Sequence, residues 1–441
     1  MDAPDPSSPS PEEPNPLEAF LRSMGANVPP GGIPGMPAGM DLSAMMGQVQ
    51  AMFAPYEGSV NWNLATDIAR RTVAGTPDPC TNTSDGTRIA DAFRLADHWL
   101  DEITSIPSGV ATTAAWSRAE WVEGTMPVWK VLVEPVAEHV VAAMSTALPE
   151  EARAAAGPLL GFIGKAGGAM FGGQAGQAIG TLASEVLTSS DIGLPLGPAG
   201  TAALVTGNVA AFAEGLGVEL HDVELYLALR EAAHQRLFAH VPWLRGHLVS
   251  AVEDYGRGVT IDVHGVEESL RGLDPMNPAA LQDALGEGLF DPPQTPAQQA
   301  ALQRLETLLA LVEGWVDEVV GQATSTRMPH AGALQEAIRR RRAAGGPAEA
   351  TFAALVGLEL RPRRLRDAST LWGSLRSRSG AEARDAVWGH PDLLPTAADL
   401  DDPLGFGEES REPAELSDAD FDRELGKLLK GDSPDDQSPT A

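Results

Sequence analysis

The chain has 441 residues and carries 61 acidic against 31 basic side chains, a formal charge of −30. That balance argues against a general nucleic-acid binder, because phosphate backbones select positive surfaces, and it favours solubility. The single cysteine, Cys80, excludes an internal disulfide and fits a reducing cytoplasm, which is the expected location.

At this length a large core is expected, as one domain or two lobes. The N-terminal stretch MDAPDPSSPSPEEPNP is acidic and proline-rich, without the basic start or apolar run of a signal peptide. Residues 1–56 read as a disordered arm rich in Pro, Gly and Met, with short helical patches at PLEAFLRSM and MMGQVQAMF. An ordered body is expected over 57–397, and 398–441 reads as a mobile acidic tail in which only FDRELGKLLK offers a helix. No stretch of ~18 uncharged apolar residues occurs, so no membrane span is expected.

Within the body NLATDIARRTVA reads as a helix. TRIADAFRLADHWLDEI follows as an amphipathic one, with Ile89, Phe93, Leu95, Trp99 and Leu100 as its apolar face. Trp116, Trp121 and Trp129 punctuate a helical region up to Leu148 and read as core anchors. From Leu159 to Ala183 glycines recur every four residues, at Gly164, Gly168, Gly172, Gly176 and Gly180. A helix with that bare face lets a neighbour approach closely, as in membranes. Lys165, Gln174 and Gln177 interrupt the run, however, and Glu151 and Glu185 bound it, which favours a packed helix in a soluble protein. Each glycine costs about 1 kcal/mol of helix propensity relative to alanine, so close packing must offset the loss. SSDIGLPLGPAG then reads as a loop, and TAALVTGNVAAFAEGL resumes helix.

The stretch from Leu225 to Phe238, LYLALREAAHQRLF, has strong helix formers and no Gly or Pro. Glu231 and His234, three apart, share a face. A catalytic zinc helix of the H-E-x-x-H type uses two His at i and i+4 to grip the metal, and the Glu beside the first as general base. Here the first position is Arg230. After a break at Val241-Pro242 come a helix at WLRGHLVSAVEDYGRG and the best strand candidate, Val259 to Val263. A short helix at DPMNPAALQDALGEGLF and a long one, ALQRLETLLALVEGWVDEVVGQA, follow, the latter carrying Glu313 and Asp317 at i, i+4 spacing.

With its R-E-x-x-H and a downstream E-x-x-x-D, the chain resembles the zincin-like zinc-dependent metalloproteases of actinobacteria. The likeness runs from SVNWNLATDIAR through REAAHQRLFAHVPWL and EGWVDEVV to LRPRRLRDASTLW and HPDLLP. It implies a predominantly α, zincin-like helical body with minimal β structure. By position it implies Glu231 as general base, His234 and Glu313 as zinc ligands, and Asp317 as the acid supporting Glu313. Arg230 departs from the pattern, because a guanidinium is a permanent cation that repels zinc.

Two functions follow. In one, a cytoplasmic zinc-dependent hydrolase acts on a peptide or protein. In the other, Arg230 takes the metal's place against Glu313 or Asp317, and a zincin-shaped scaffold acts by binding a partner. Glu-x-x-His also occurs in di-metal helical bundles, but those need a second copy and none is present. G-x-S-x-G, G-x-G-x-x-G and P-loop motifs are absent. The helices of Glu231/His234 and Glu313/Asp317 are expected to pack face to face with all four side chains converging and Arg230 inward. Arg339 to Arg342, and the cluster Arg361, Arg363, Arg364 and Arg366, read as solvated helix faces or as a docking surface for an anion or the acidic tail.

Overall fold

A computed structural model of the chain describes residues 56–146, 157–257, 295–343, 351 and 364–407. The N-terminal arm, the strand expected at 259–263, the short helix expected from Asp274 and most of the acidic tail lie outside these residues.

The protein is predominantly α. In chain order the helices are α1 (Trp62–Ala74), α2 (Thr83–Leu100), α3 (Arg118–Thr146), α4 (Gly157–Ala183), α5 (Thr206–Leu216), α6 (Leu220–His240), α7 (Leu244–Arg257), α8 (Pro296–Thr324), α9 (Ala331–Ala343), α10 (Leu365–Ala386) and α11 (Ala397–Asp401). Their starts follow local chemistry. Asn82 and Asp85 form a reciprocal cap on α2, as Thr295 and Gln298 do on α8, each pair satisfying backbone N–H groups that a helix leaves open. Among the described residues no helix is long and apolar enough to cross a membrane.

Among the described residues the β structure lies where the sequence reads as helix or loop. Thr112–Trp116 (β1) and Thr201–Val205 (β2) pair in parallel, Thr112 opposite Thr201 and Trp116 opposite Val205. The β-branched and aromatic ends of TTAAW and TAALV suit a pleated surface. Gly200, at φ +71°, provides the backbone turn into β2 that other residues rarely adopt. The helix expected from Thr201 therefore starts at Thr206.

The glycine ladder meets its neighbour directly. A Cβ on Gly172 would lie 2.5 Å from the backbone oxygen of Asn61, one on Gly180 would lie 2.7 Å from Thr72 Cβ, and one on Gly176 would strike Ala65 O. The Asn61 amide donates to Gly168 O at 3.0 Å, so α4 touches the start of α1 backbone to backbone. On the same helix Gly167 has open space and Gly173 is no closer than 3.8 Å to Ile68. Trp121 and Trp129 are fully buried, whereas Leu95, expected on the apolar face of α2, is exposed.

Two helices run through the core itself. α6 is buried from Val223 to Leu237, and α8 from Leu308 to Val320. Both carry charged residues along these stretches, and a buried charge is costly unless it is paired. Those partners define the site.

Candidate functional site

The helical repeat puts Tyr226, Arg230 and His234 one turn apart on a single face of α6, and Glu313 and Asp317 likewise on α8. The faces meet. Arg230 Nη2 donates to Glu313 Oε2 at 2.6 Å, and Arg230 Nη1 lies 3.9 Å from Asp317 Oδ1. His234 Nε2 lies 2.9 Å from Glu313 Oε1, and its Nδ1 lies 2.9 Å from the Arg230 carbonyl oxygen.

Glu231 does not join them. Its carboxylate accepts from Ser189 Oγ at 2.6 Å, from the Ser190 amide and hydroxyl at 3.1 Å each, and from Gln235 Nε2 at 2.8 Å. The convergence expected of four side chains is therefore reached by His234, Glu313 and Asp317, with Arg230 inward. Glu231, adjacent to Arg230 and so about a quarter-turn round the helix, is held by the loop before β2. That loop also covers Glu313: Gly193, at φ +77°, sits where a Cβ would be 2.9 Å from Glu313 Oε1.

The arginine run of α9 is not a solvated face. Arg342 Nη2 lies 2.8 Å from Glu313 Oε1, Arg339 Nη2 donates to Asp317 Oδ2 at 2.5 Å, and Arg341 Nη1 donates to Asp191 Oδ2 at 2.7 Å. Only Arg340 turns outward, to Glu336. Of the second cluster, Arg364 pairs with Asp401 and Arg366 with Glu336, while Arg361 and Arg363 lie outside the described residues. Asp317 Oδ2 accepts further hydrogen bonds from Gln335 at 3.1 Å and Ser369 at 2.9 Å.

Four guanidinium groups (Arg230, Arg339, Arg341, Arg342) therefore surround three carboxylates (Asp191, Glu313, Asp317), with His234 beside them. Burial pushes the Glu313 carboxyl up, but Arg342, His234 and Arg230 outweigh it and hold its pKa down at about 2. Asp191 is likewise buried, and Arg341 and Arg342 hold it below the usual carboxylate range. Burial pushes the Tyr226 hydroxyl up to about 12 against the opposing pull of Arg230. Arg230 Nη1 and Asp317 Oδ1 are buried without hydrogen-bond partners, as are the Nε atoms of Arg339 and Arg342.

A catalytic zinc needs three protein donors with free lone pairs, at about 2.0–2.2 Å for nitrogen and oxygen. His234 and Glu313 are the two donors that meet, and both Glu313 oxygens already face cations. Among the described residues no three His, Cys, Asp or Glu side chains are grouped to hold a metal. His240 and His247 are exposed, and neither is grouped with His234 and Glu313 as a third donor among the described residues. This set of side chains does not fit a catalytic zinc ion.

One turn from the Arg230–Asp317 contact, a cleft of about 410 Å³ opens between Tyr226, the end of α8 at Thr324 and Ser325, and Gly332 and Gln335 of α9.

The sequence profile of the zincin-like metallopeptidase family matches residues 60–406. The chain belongs to that family. The matched span holds every residue of the buried charged cluster described above. A crystal structure from Chloroflexus aurantiacus, provisionally described as that of a hydrolase with a novel fold, is similar: the TM-score is 0.57 at 21% identity, over 79% of this chain and 97% of that one. At that identity the likeness is one of fold. No curated protein matches the chain.

Sequence reasoning missed Ser189, Ser190, Asp191 and the inward arginines of α9. Nothing in SSDIGLPLGPAG distinguishes its serines from those of any loop. For α9 a signal exists: Gln335, Arg339 and Arg342 fall at i, i+4 and i+7, one helical face, opposite carboxylates already expected to be buried.

Proposed function

We propose that this zincin-like chain is a non-hydrolytic scaffold that acts by binding a peptide or protein, with the Arg230 guanidinium in the place of the metal. One observation carries the reading: Arg230, from the position of the first zinc-binding His, donates to Glu313 at 2.6 Å inside the core. A buried carboxylate needs a cation, and a guanidinium that is charged at any working pH supplies one without a metal. Glu231 supports the same reading, because its two oxygens are committed to Ser189, Ser190 and Gln235, and a general base needs a free lone pair facing the water it activates. In this reading a partner's chain approaches the centre through the cleft beside Tyr226, one helical turn from Arg230.

A zinc-dependent hydrolase with Glu231 as base and His234 and Glu313 as ligands is the second reading. It is favoured by family membership and by the 2.9 Å approach of His234 to Glu313 across two helices. Elemental analysis of untagged protein, before and after incubation with zinc and dialysis, separates the two. The scaffold reading expects no stoichiometric zinc. Bound zinc together with peptide hydrolysis that disappears in Glu231→Gln would sink it.

A further inference from the structure

Resting on the scaffold reading, a second assignment concerns α9. We infer that Arg342 is an independent metal-excluding cation, so that metal is kept from this centre by two arginines and not by the altered motif alone.

The two cations take different oxygens of Glu313. Arg230 donates to Glu313 Oε2, while Arg342 Nη2 lies 2.8 Å from Oε1, the oxygen that also receives His234 Nε2 at 2.9 Å. Any ion shared by His234 and Glu313 must approach Oε1, so it meets Arg342 whatever residue stands at position 230. A fixed unit charge about 4 Å away, at the effective dielectric of a protein site, lowers the affinity for a cation roughly a thousandfold or more.

Arg342 is also held in place. Its Nη2 donates to the Asp191 carbonyl and lies 3.9 Å from the Asp191 carboxylate. Asp191 is itself fixed by the Leu187 amide at 2.9 Å and by Arg341 at 2.7 Å. The helix carrying Arg342 is seated through Leu334 and Ile338, both buried. The guanidinium therefore has no ready route out of the site to make room for an ion.

The consequence is a defined non-additivity. Arg230→His restores the H-E-x-x-H donor pattern in sequence and adds an imidazole one turn before His234, yet Arg342 still faces Oε1. Arg342→Gln removes that charge but leaves Arg230 on Oε2. Together the changes leave two imidazoles and a carboxylate whose oxygens no guanidinium holds, the donor set of a three-ligand zinc site.

The test uses the full-length, untagged chain in four forms: unchanged, Arg230→His, Arg342→Gln, and both. Each is incubated with zinc chloride, dialysed and assayed for zinc by elemental analysis, and its thermal midpoint is recorded with zinc and with a chelator. The double variant should retain about one zinc per chain and melt higher with zinc than with chelator, because metal binding to the folded state is folding free energy. Neither single variant should do so. Should the double variant fail to melt cooperatively, Arg230→His/Arg342→Met is the neutral replacement, and Arg230→His/Arg342→Lys is the charged control expected to refuse zinc. Zinc uptake by Arg230→His alone or by the lysine pair, or no uptake by a cooperatively melting neutral pair, overturns the assignment. Stoichiometric zinc in the unchanged chain instead overturns the scaffold reading, which keeps the two failures distinct.

Discussion

Two helix pairs hold this fold together by opposite means. α1 and α4 meet through absent side chains: glycines on α4 let backbone approach backbone, and the contact is one of close steric fit without buried charge. α6 and α8 meet through a surplus of side chains, with buried guanidinium, imidazole and carboxylate groups locked across the interface. An atom added at Gly172, Gly176 or Gly180 has no room in the first pair. A charge removed from the second leaves its buried partners unmatched. The comparison teaches that depth in the core does not predict chemistry; what matters is whether a helix face is emptied or filled with groups that must be partnered.

The largest effect should come from the charged pair. Glu313→Gln leaves Arg230, Arg342 and His234 facing one another without their anion, and loss of one member of a buried ion pair typically costs about 3–5 kcal/mol. Chemical denaturation of the variant should show it as a lower midpoint with an unchanged slope. A loss no larger than a surface substitution gives would mean the centre is not the keystone of the α6–α8 interface.

Acid should act on the same bond with slightly less force. Glu313 has a folded pKa of about 2 against an ordinary 4.5, so its contribution is fully present above 4.5 and is lost as pH falls toward 2. A tenfold change in a group's proton affinity on folding is worth about 1.4 kcal/mol, which makes the loss about 3 kcal/mol across that window. In Glu313→Gln this part of the acid dependence should vanish. An unchanged acid profile in the variant would show that other carboxylates set it.

The steric pair sharpens the contrast. Gly172→Leu drives a side chain at Asn61 O and should destabilise by about 1–3 kcal/mol through overpacking, independently of pH. The smallest effect belongs to Gly173→Ala on the same helix. Its Cβ would be 3.8 Å from Ile68, so the gain in helix propensity should leave stability unchanged or raised by up to about 1 kcal/mol. Thermal melts of the two variants side by side check this, and equal losses would remove the distinction between the faces.

The two pairs were not equally legible. Glycines every fourth residue announce a bare helix face by spacing alone, and the structure supplies only the identity of the neighbour. The long helices around Glu231 and Glu313 were also readable, because strong helix formers and the i, i+4 spacing of Glu313 and Asp317 are local properties. What was not readable depends on partners far along the chain. TTAAW and TAALV are too short and too rich in small residues to declare themselves strands, and each becomes one only by pairing with the other. Arg339 and Arg342 look like part of a solvated run until the carboxylates opposite them are known. Glu231 looks like a base until Ser189 and Ser190, ordinary loop serines in the sequence, take its oxygens.

The most direct test of the central claim is a crystal of the unchanged chain grown with zinc and measured at the zinc absorption edge. The Arg230 guanidinium should stand against Glu313 with no anomalous peak between His234 and Glu313. A peak within about 2.2 Å of both His234 Nε2 and a Glu313 oxygen, with Arg230 swung away, would contradict the account.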